Sequence, residues 1–413
     1  MLLHWLWQAW IEPIVPNEPR GRAGVSYGIN MKIVHITPDL NFATRFVMPL
    51  AEYQSDVGNA LYIITHCNEY NDGLGGLNVK ALSSKKVEVI QYNVKLKNVN
   101  PLSLILGLLR TIRSINPDRI ICHTSIDSFV PIVALRLLTR VPIVYYNHGV
   151  PFVGYKFLLK WAMMLMEISN VRLSHRTLTV SRGMERILAR LPGRSSKISV
   201  VSPGSACGIE MKYRRFSDLA AVRASARVQL GFAPTERVVL YVGRFTKRKG
   251  VLDLIEAWKS IERTNEFKLI IVGSVNKRLL RRIKSLPSSI ILAGYQSDLE
   301  RYYLAADALC VPSHHEGFGY VYLEAASLGC VPMCSDIPGP TDFVKNDITG
   351  LVCDVGNVHK IAQALLEILT NEELRHRLAE NAFNEAKKYD RQILVPLVVG
   401  ALEPVCTPND LLD

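Results

Sequence analysis

Two carboxylates stand eight positions apart in the stretch SHHEGFGYVYLEAASLG (residues 313–329), Glu316 just before a run with helical spacing and Glu324 about one turn inside it. A carboxylate offers two oxygens with no proton to place, which suits it to accept from neighbouring hydroxyls. Gly317 and Gly319 let the backbone come close to a bound group, and the free N–H groups of a helix start favour an anion. The pattern therefore reads as a site for a diol such as ribose next to a phosphate. On spacing alone the plain alternative stays open: a solvated helix glutamate, and a first-turn carboxylate that complements the helix dipole.

A second cluster is cationic. In YVGRFTKRKGVLDLIEAW (241–258), Gly243 and Gly250 bracket Arg244, Lys247, Arg248 and Lys249 ahead of another helical run. Helix starts ordinarily favour Asp or Glu, so this concentration of positive charge asks for an anionic partner, with a diphosphate the natural candidate. A solvated basic loop is the alternative. Third, His148 and Gly149 follow an apolar run in VPIVYYNHGVPF (141–152), a position where a histidine can hydrogen-bond or handle a proton, although a lone histidine is more often structural.

Short β-branched runs must position these groups. KIVHIT, ALYIITH, VEVIQY, DRIICH, VPIVYY, TLTV and KISVVS alternate with helix-period segments, then RVVLYVG, FKLIIVG, SIILAG, ALCVPS, VPMCS and GLVCD do the same. Such alternation predicts βαβ units on parallel sheets, hence two doubly wound α/β domains in series. Between the two sets, residues 202–236 read as linker-like, with the join near 202–215. The expected division is an N-terminal extension at 1–30, poorly ordered and upstream of a functional start at Met31; a first domain at 31–205; a second at 206–388; and a segment at 389–413 crossing back to the first. In open parallel sheets ligands sit beyond the carboxyl ends of the strands, so the chemistry belongs in a cleft between the domains.

At 413 residues, 48% of them apolar and 21% charged, the chain has material for two full cores. Its formal charge of +12 is uneven: residues 31–205 hold 21 Lys and Arg against 10 Asp and Glu, a surplus of 11, whereas 206–413 hold 26 against 25, a surplus of 1. The basic first half favours phosphorylated ligands, nucleic acid or an anionic membrane surface. Eight scattered cysteines without CxxC or metal-type spacing predict reduced, buried thiols in a cytoplasmic protein and no metal site. The longest uncharged run, residues 141–155, falls short of a membrane span and is broken by Pro and Gly. The opening residues lack the basic start and cleavage site of a signal peptide.

Taken together, GRFTKRKGVLDLIEA, the long run from Gly294 to Asp354 with its two glutamates seven residues apart in between, and the His-Gly strand end resemble the retaining glycosyltransferases of family 4, which have the GT-B fold of two Rossmann-like domains facing across a cleft. The segment after the first strand, with Arg45, Pro49 and Leu50, and SPGSACGIE (202–210) are similar to members that build capsules, exopolysaccharides and O-antigens. The resemblance implies metal-independent transfer of a sugar from a UDP- or GDP-sugar to an acceptor hydroxyl, with no cofactor. Carried over residue by residue, it implies that Arg244 and Lys249 hold the donor diphosphate, with Gly317, Phe318 and Gly319 lining phosphate and sugar through their backbone. Glu324 would bind the ribose, and Glu316 and His148 would meet the sugar being moved. The expected acceptor is a saccharide, often on a polyprenyl diphosphate, reached at the inner face of the cytoplasmic membrane by a peripheral enzyme. Segments 94–117 and 155–176, which mix Lys and Arg with Leu, Met or Trp, fit such interfacial attachment. Helices packed on the sheet are the alternative there. Two other functions fit less well: a nucleotide-sugar 2-epimerase of the same fold, which would need no acceptor, and a basic nucleic-acid-binding protein, disfavoured because the charge is not interleaved with aromatics in any recognisable module.

Overall fold

Strands buried on both faces lose the polar alternation of half-exposed ones, and the runs above show this: every residue of KIVHIT after Lys32 is buried, and so are five of the six in RVVLYV. The computed structural model describes residues 30–66, 87–92, 101–192, 197–261, 266–281, 283 and 286–402. The expected extension at 1–30 therefore lies outside the described residues except for Asn30.

The first sheet holds β1 (Lys32–Thr37), β2 (Ala60–His66), β3 (Val87–Tyr92), β4 (Arg119–His123), β5 (Ile143–Asn147), β6 (Arg176–Thr179) and β7 (Ile198–Val200), in the order β3-β2-β1-β4-β5-β6-β7. The second holds β8 (Arg237–Val242), β9 (Phe267–Val272), β10 (Ile290–Gly294), β11 (Ala308–Val311), β12 (Val331–Ser335) and β13 (Leu351–Cys353), in the order β10-β9-β8-β11-β12-β13. Every pairing is parallel, including β1 with β4 in one sheet and β8 with β11 in the other. Both sheets thus reverse strand order at their first strand, which opens a crevice there at the carboxyl ends. The α/β, GT-B expectation of two Rossmann-like sheets is met.

Helices cover the faces. Those used below are α1 (Met48–Asp56), α2 (Pro101–Ile115), α3 (Ser125–Leu138), α4 (Phe157–Leu173), α5 (Leu219–Gln229), α6 (Val251–Ile261), α7 (Glu300–Ala305), α8 (Tyr320–Ser327) and α9 (Arg391–Leu402). On one face of the first sheet Val34, Ile120 and Ile143 pack with Ile112 of α2, Leu135 of α3 and Val171 of α4. Full burial of each such side chain is worth about 1.5–3 kcal/mol. The six described cysteines are free and buried.

The stretch 202–236 is not a linker throughout. It carries α5, with Leu219 and Ala226 buried and Arg223 donating to the carbonyls of Ala306 and Leu328. Its apolar face is mostly small alanines, too faint a stripe to mark a helix. The chain passes between the sheets twice, side by side: Ile209 N donates to Tyr389 O at 2.9 Å and Arg391 N donates to Ile209 O at 2.7 Å. Gly208, at φ +67°, permits this approach, since a Cβ there would lie 2.3 Å from Tyr389 O. Beyond the second crossing α9 packs on α1 of the first half, and its last carbonyls, of Ala401 and Leu402, accept from Arg176 and Arg119.

Candidate active site

The carboxyl ends of β8 and β11 bring the two motifs of the second half together. After β8 comes the basic turn, Lys247–Lys249, closed by Gly250 in the left-handed region; a Cβ on Gly250 would lie 1.8 Å from Pro312 O, so the basic turn and the loop after β11 are packed backbone to backbone. His314 N donates to Arg248 O at 2.8 Å, and His314 Nε2 lies 2.6 Å from Asp253 Oδ2. The packing delivers Lys249 Nζ to Glu316 Oε1 as an ion pair, and Ser313 Oγ donates to the same carboxylate at 2.9 Å. The side chains of Lys249 and Glu316 are only 17% and 10% exposed, so the pair is largely desolvated. Arg244, in contrast, is exposed.

Glu316 leads into Gly317, where the two halves touch: a Cβ on Gly317 would lie 2.1 Å from the carbonyl oxygen of His148. The segments after β5 and β11, which carry His148 and Glu316, thus meet at one backbone contact. Phe318 turns its ring into the core against Tyr320 and Tyr389, which leaves its backbone for the site. Gly319, at φ +90°, starts α8.

Glu324, half-buried on α8, has both oxygens engaged. Arg45, from the segment after β1, pairs with Oε1, and the Tyr303 hydroxyl of α7 donates to Oε2 at 2.9 Å. The carboxylate raises the Arg45 pKa; burial first, and then Glu324, pushes the Tyr303 phenol well above its ordinary range. Arg45, Glu324 and Tyr303 line a cavity of about 470 Å³ between the halves, together with Ser297, Asp298, Leu299, Tyr320 and Arg391.

His148 is linked to two further histidines. Its Nε2 lies 3.1 Å from His123 Nδ1, and His123 Nε2 lies 2.9 Å from His35 Nδ1. Burial holds His148 down to about 3 and His35 to about 4, so both are neutral at physiological pH.

Arg45, Tyr303, Tyr320, His35 and His123 escape sequence reasoning as site residues, because each reaches the site through a tertiary contact with no local pattern. The Tyr320 hydroxyl, which accepts from the amides of Ala206 and Cys207 at 2.8 Å, anchors the first crossing to α8. No group of three His, Cys, Asp or Glu among the described residues is placed to hold a metal ion.

Comparison with known proteins adds to this geometry. A family model described as glycosyl transferases group 1 matches residues 222–385, and one described as glycosyltransferase family 4 matches residues 43–205. The capsular polysaccharide biosynthesis glycosyltransferase CapM of Staphylococcus aureus is 24% identical over 342 residues, 77% of this chain and 87% of that protein. The lipopolysaccharide core biosynthesis glycosyltransferase LpsE of Rhizobium meliloti is 29% identical over 210 residues, 49% of this chain and 59% of that one. Among solved structures, Anabaena Alr3699/HepE in complex with UDP and glucose shares the fold at a TM-score of 0.73 and 18% identity, over 90% of this chain and 99% of that one.

Proposed function

Because the chain belongs to the glycosyltransferases, pairing a family 4 half with a group 1 half in the GT-B arrangement, we propose that it moves a sugar from a UDP- or GDP-sugar to an acceptor hydroxyl, with retention at the anomeric carbon, in surface polysaccharide biosynthesis. The observation that carries this reading is Glu324 on the wall of the cavity between the halves, eight residues along the chain from Glu316 of the Lys249–Glu316 pair. The nucleoside occupies that cavity, its ribose hydroxyls on Glu324 and its base along Ser297–Leu299. The diphosphate lies on Arg244, Lys249 and the backbone of Gly317, Phe318 and Gly319, and the sugar sits between Glu316 and His148. The HepE structure holds UDP and glucose, and the CapM and LpsE names carry the polysaccharide context.

When the bond between the anomeric carbon and the diphosphate breaks, negative charge grows on the leaving phosphate. Arg244 and Lys249 meet that charge, Lys249 from a largely desolvated position, without a metal ion. In the free protein both key carboxylates hold internal partners, so donor binding is an exchange: ribose hydroxyls displace Arg45 from Glu324, and the diphosphate draws Lys249 away from Glu316. Residues 31–205 take the acceptor and 206–388 the donor, with 389–413 tying them together.

The acceptor reading, a lipid-linked saccharide met at the cytoplasmic face of an anionic membrane, rests on α4. Its first turns expose Phe157 (86%), Leu158 (82%) and Trp161 (61%) with Lys156 and Lys160 exposed among them. Ile126 and Val130 are exposed at the start of α3, which begins from the same sheet edge. Apolar side chains among lysines suit an interface of lipid tails and anionic headgroups. The turn before α4 also abuts the cleft, Gly154 lying against His315. No helix among the described residues is long and apolar enough to cross a membrane. Of the two segments expected to attach, 94–117 and 155–176, residues 94–100 lie outside those described.

The test is to incubate the protein with UDP- and GDP-sugars, with and without membrane lipid extract. The reading expects sugar on the lipid fraction only when both are present; conversion of the nucleotide-sugar without acceptor would point to the epimerase instead.

A further inference from the structure

Three imidazoles stand in single file across the carboxyl edge of the first sheet, from β1 through β4 to the end of β5. The file begins at Gln54 of α1, whose Oε1 faces His35 Nε2 at 2.8 Å. It continues from His35 Nδ1 to His123 Nε2 at 2.9 Å and from His123 Nδ1 to His148 Nε2 at 3.1 Å. Among the described residues His148 Nδ1 has no hydrogen-bond partner, and the rings of Phe42 and Tyr146 flank the imidazole at 4.8 and 4.6 Å.

A neutral imidazole has one N–H and one bare nitrogen, so each ring donates on one side and accepts on the other. A carbonyl oxygen only accepts. With Oε1 of Gln54 at the head, His35 Nε2 carries its proton and Nδ1 is bare. That bare nitrogen takes the proton of His123 Nε2, and the bare His123 Nδ1 takes the proton of His148 Nε2. The last ring is then left with Nδ1 bare. An extra proton on His35 or His123 would set two N–H groups against each other at a link, and burial already keeps all three rings neutral: His35 falls to about 4, His148 to about 3, and His123 well below its usual value.

We infer that Gln54, His35 and His123 are positioning residues that lock His148 as the Nε2–H tautomer, so that Nδ1 meets the bound sugar as the acceptor of a hydroxyl proton. This rests on reading the cleft as a nucleotide-sugar site. It selects among donors by hydrogen-bond polarity. A sugar hydroxyl donates to a bare nitrogen. The carboxylate of a uronic acid at the same place has no proton to give and sets lone pairs against a lone pair in a partly desolvated pocket, so the site takes a neutral sugar over its uronic counterpart.

The experiment labels the ten histidines of the full chain with nitrogen-15 and reads tautomers from long-range proton–nitrogen correlations. The His148 signals are assigned by their absence in His148→Asn. At pH 7.5, His148 is expected with a protonated-type Nε2 and an unprotonated-type Nδ1. Gln54→Met, which keeps the volume but loses the acceptor, moves these signals towards a tautomer mixture, and Gln54→Glu restores the wild-type pattern. An Nδ1–H tautomer or an imidazolium in the wild type overturns the inference, and so does a Gln54→Met spectrum identical to wild type. On the same samples, calorimetric titration with UDP-glucose and UDP-glucuronate is expected to show the uronate at least ~10-fold weaker, a preference eroded in Gln54→Met. Equal affinities in the wild type overturn the selectivity. If neither these nor GDP-mannose binds, the functional reading fails, while the tautomer is still decided by the spectra.

Discussion

Arg45 and Glu324 pair across 279 residues of sequence, the guanidinium from the first half on the carboxylate of the second. In the free protein the pair fills one of the two oxygens that the proposed ribose contact needs, so Arg45 competes with the nucleotide. Its side chain is half exposed, which places the pair among those worth about 0.2–1 kcal/mol. Arg45→Ala is therefore expected to cost no more than about 1 kcal/mol of stability and to tighten UDP binding by up to about fivefold, measured by thermal unfolding and calorimetric titration. A tenfold loss of affinity would instead make Arg45 a ligand contact.

Glu324 itself has to be tested with two substitutions. Glu324→Ala strands the buried Tyr303 hydroxyl, which costs about 1–3 kcal/mol of stability. Glu324→Gln keeps an acceptor for Tyr303 but gives up the charge-assisted bonds to ribose, each worth about 1.5–3 kcal/mol. The glutamine variant is thus expected to melt within a few degrees of wild type while UDP affinity drops by about 10- to 100-fold. Unchanged affinity would remove the ribose assignment.

Lys249 and Glu316 make a prediction about turnover. A cation that meets the leaving diphosphate acts mainly in the transition state, and removal of one such group costs about 10²–10³ in kcat. Lys249→Ala is expected to lose kcat on that scale at saturating donor, with Lys249→Arg recovering part of it. A change confined to KM would make Lys249 a ground-state contact only.

Gly317→Ala probes the contact between halves. Its Cβ would lie 2.1 Å from His148 O, so one backbone must retreat by an ångström or more. A displacement of that size at a reacting centre costs about 10²-fold in rate. The expected result is an enzyme that melts near wild type and turns over about 100-fold more slowly; full activity would show that the loop meets no substrate.

Much of this architecture is legible in the amino-acid sequence. Each of the thirteen described strands overlaps a run that reads as a strand, because burial on both faces leaves near-continuous apolar stretches such as VVLYV (238–242). Glu316, Glu324 and Lys249 stand out because two contiguous strand–loop–helix segments hold them. Helix α5 escapes because Leu219 and Ala226 are its only buried residues. Tyr303 and Arg45 escape because a partner on a separate element leaves no periodic trace, and His35 because inside KIVHIT it reads as one polar residue in a buried strand.

Glu167 of α4 sets a pH dependence that can be isolated. It is buried; Tyr145 donates to Oε2 at 2.9 Å, and among the described residues Oε1 has no partner. Burial lifts its carboxyl from 4.5 to about 7. Between these values the native state holds a proton that the unfolded chain has lost, so stability falls as pH rises. The penalty is absent below about 4.5, complete above about 7, and amounts to roughly 3 kcal/mol at 1.36 kcal/mol per unit. The histidine file works in the opposite sense: with folded values near 4 and 3 for His35 and His148, the unfolded chain binds more protons below about 6.5, and stability falls on acidification. Glu167→Gln keeps the histidines, so their contribution cancels in the difference between variant and wild type. The variant is expected to be more stable by roughly 3 kcal/mol at pH 8, with the advantage shrinking steadily towards pH 4.5, when urea unfolding is followed across that range. A difference that does not change with pH would mean that Glu167 titrates normally in the folded protein.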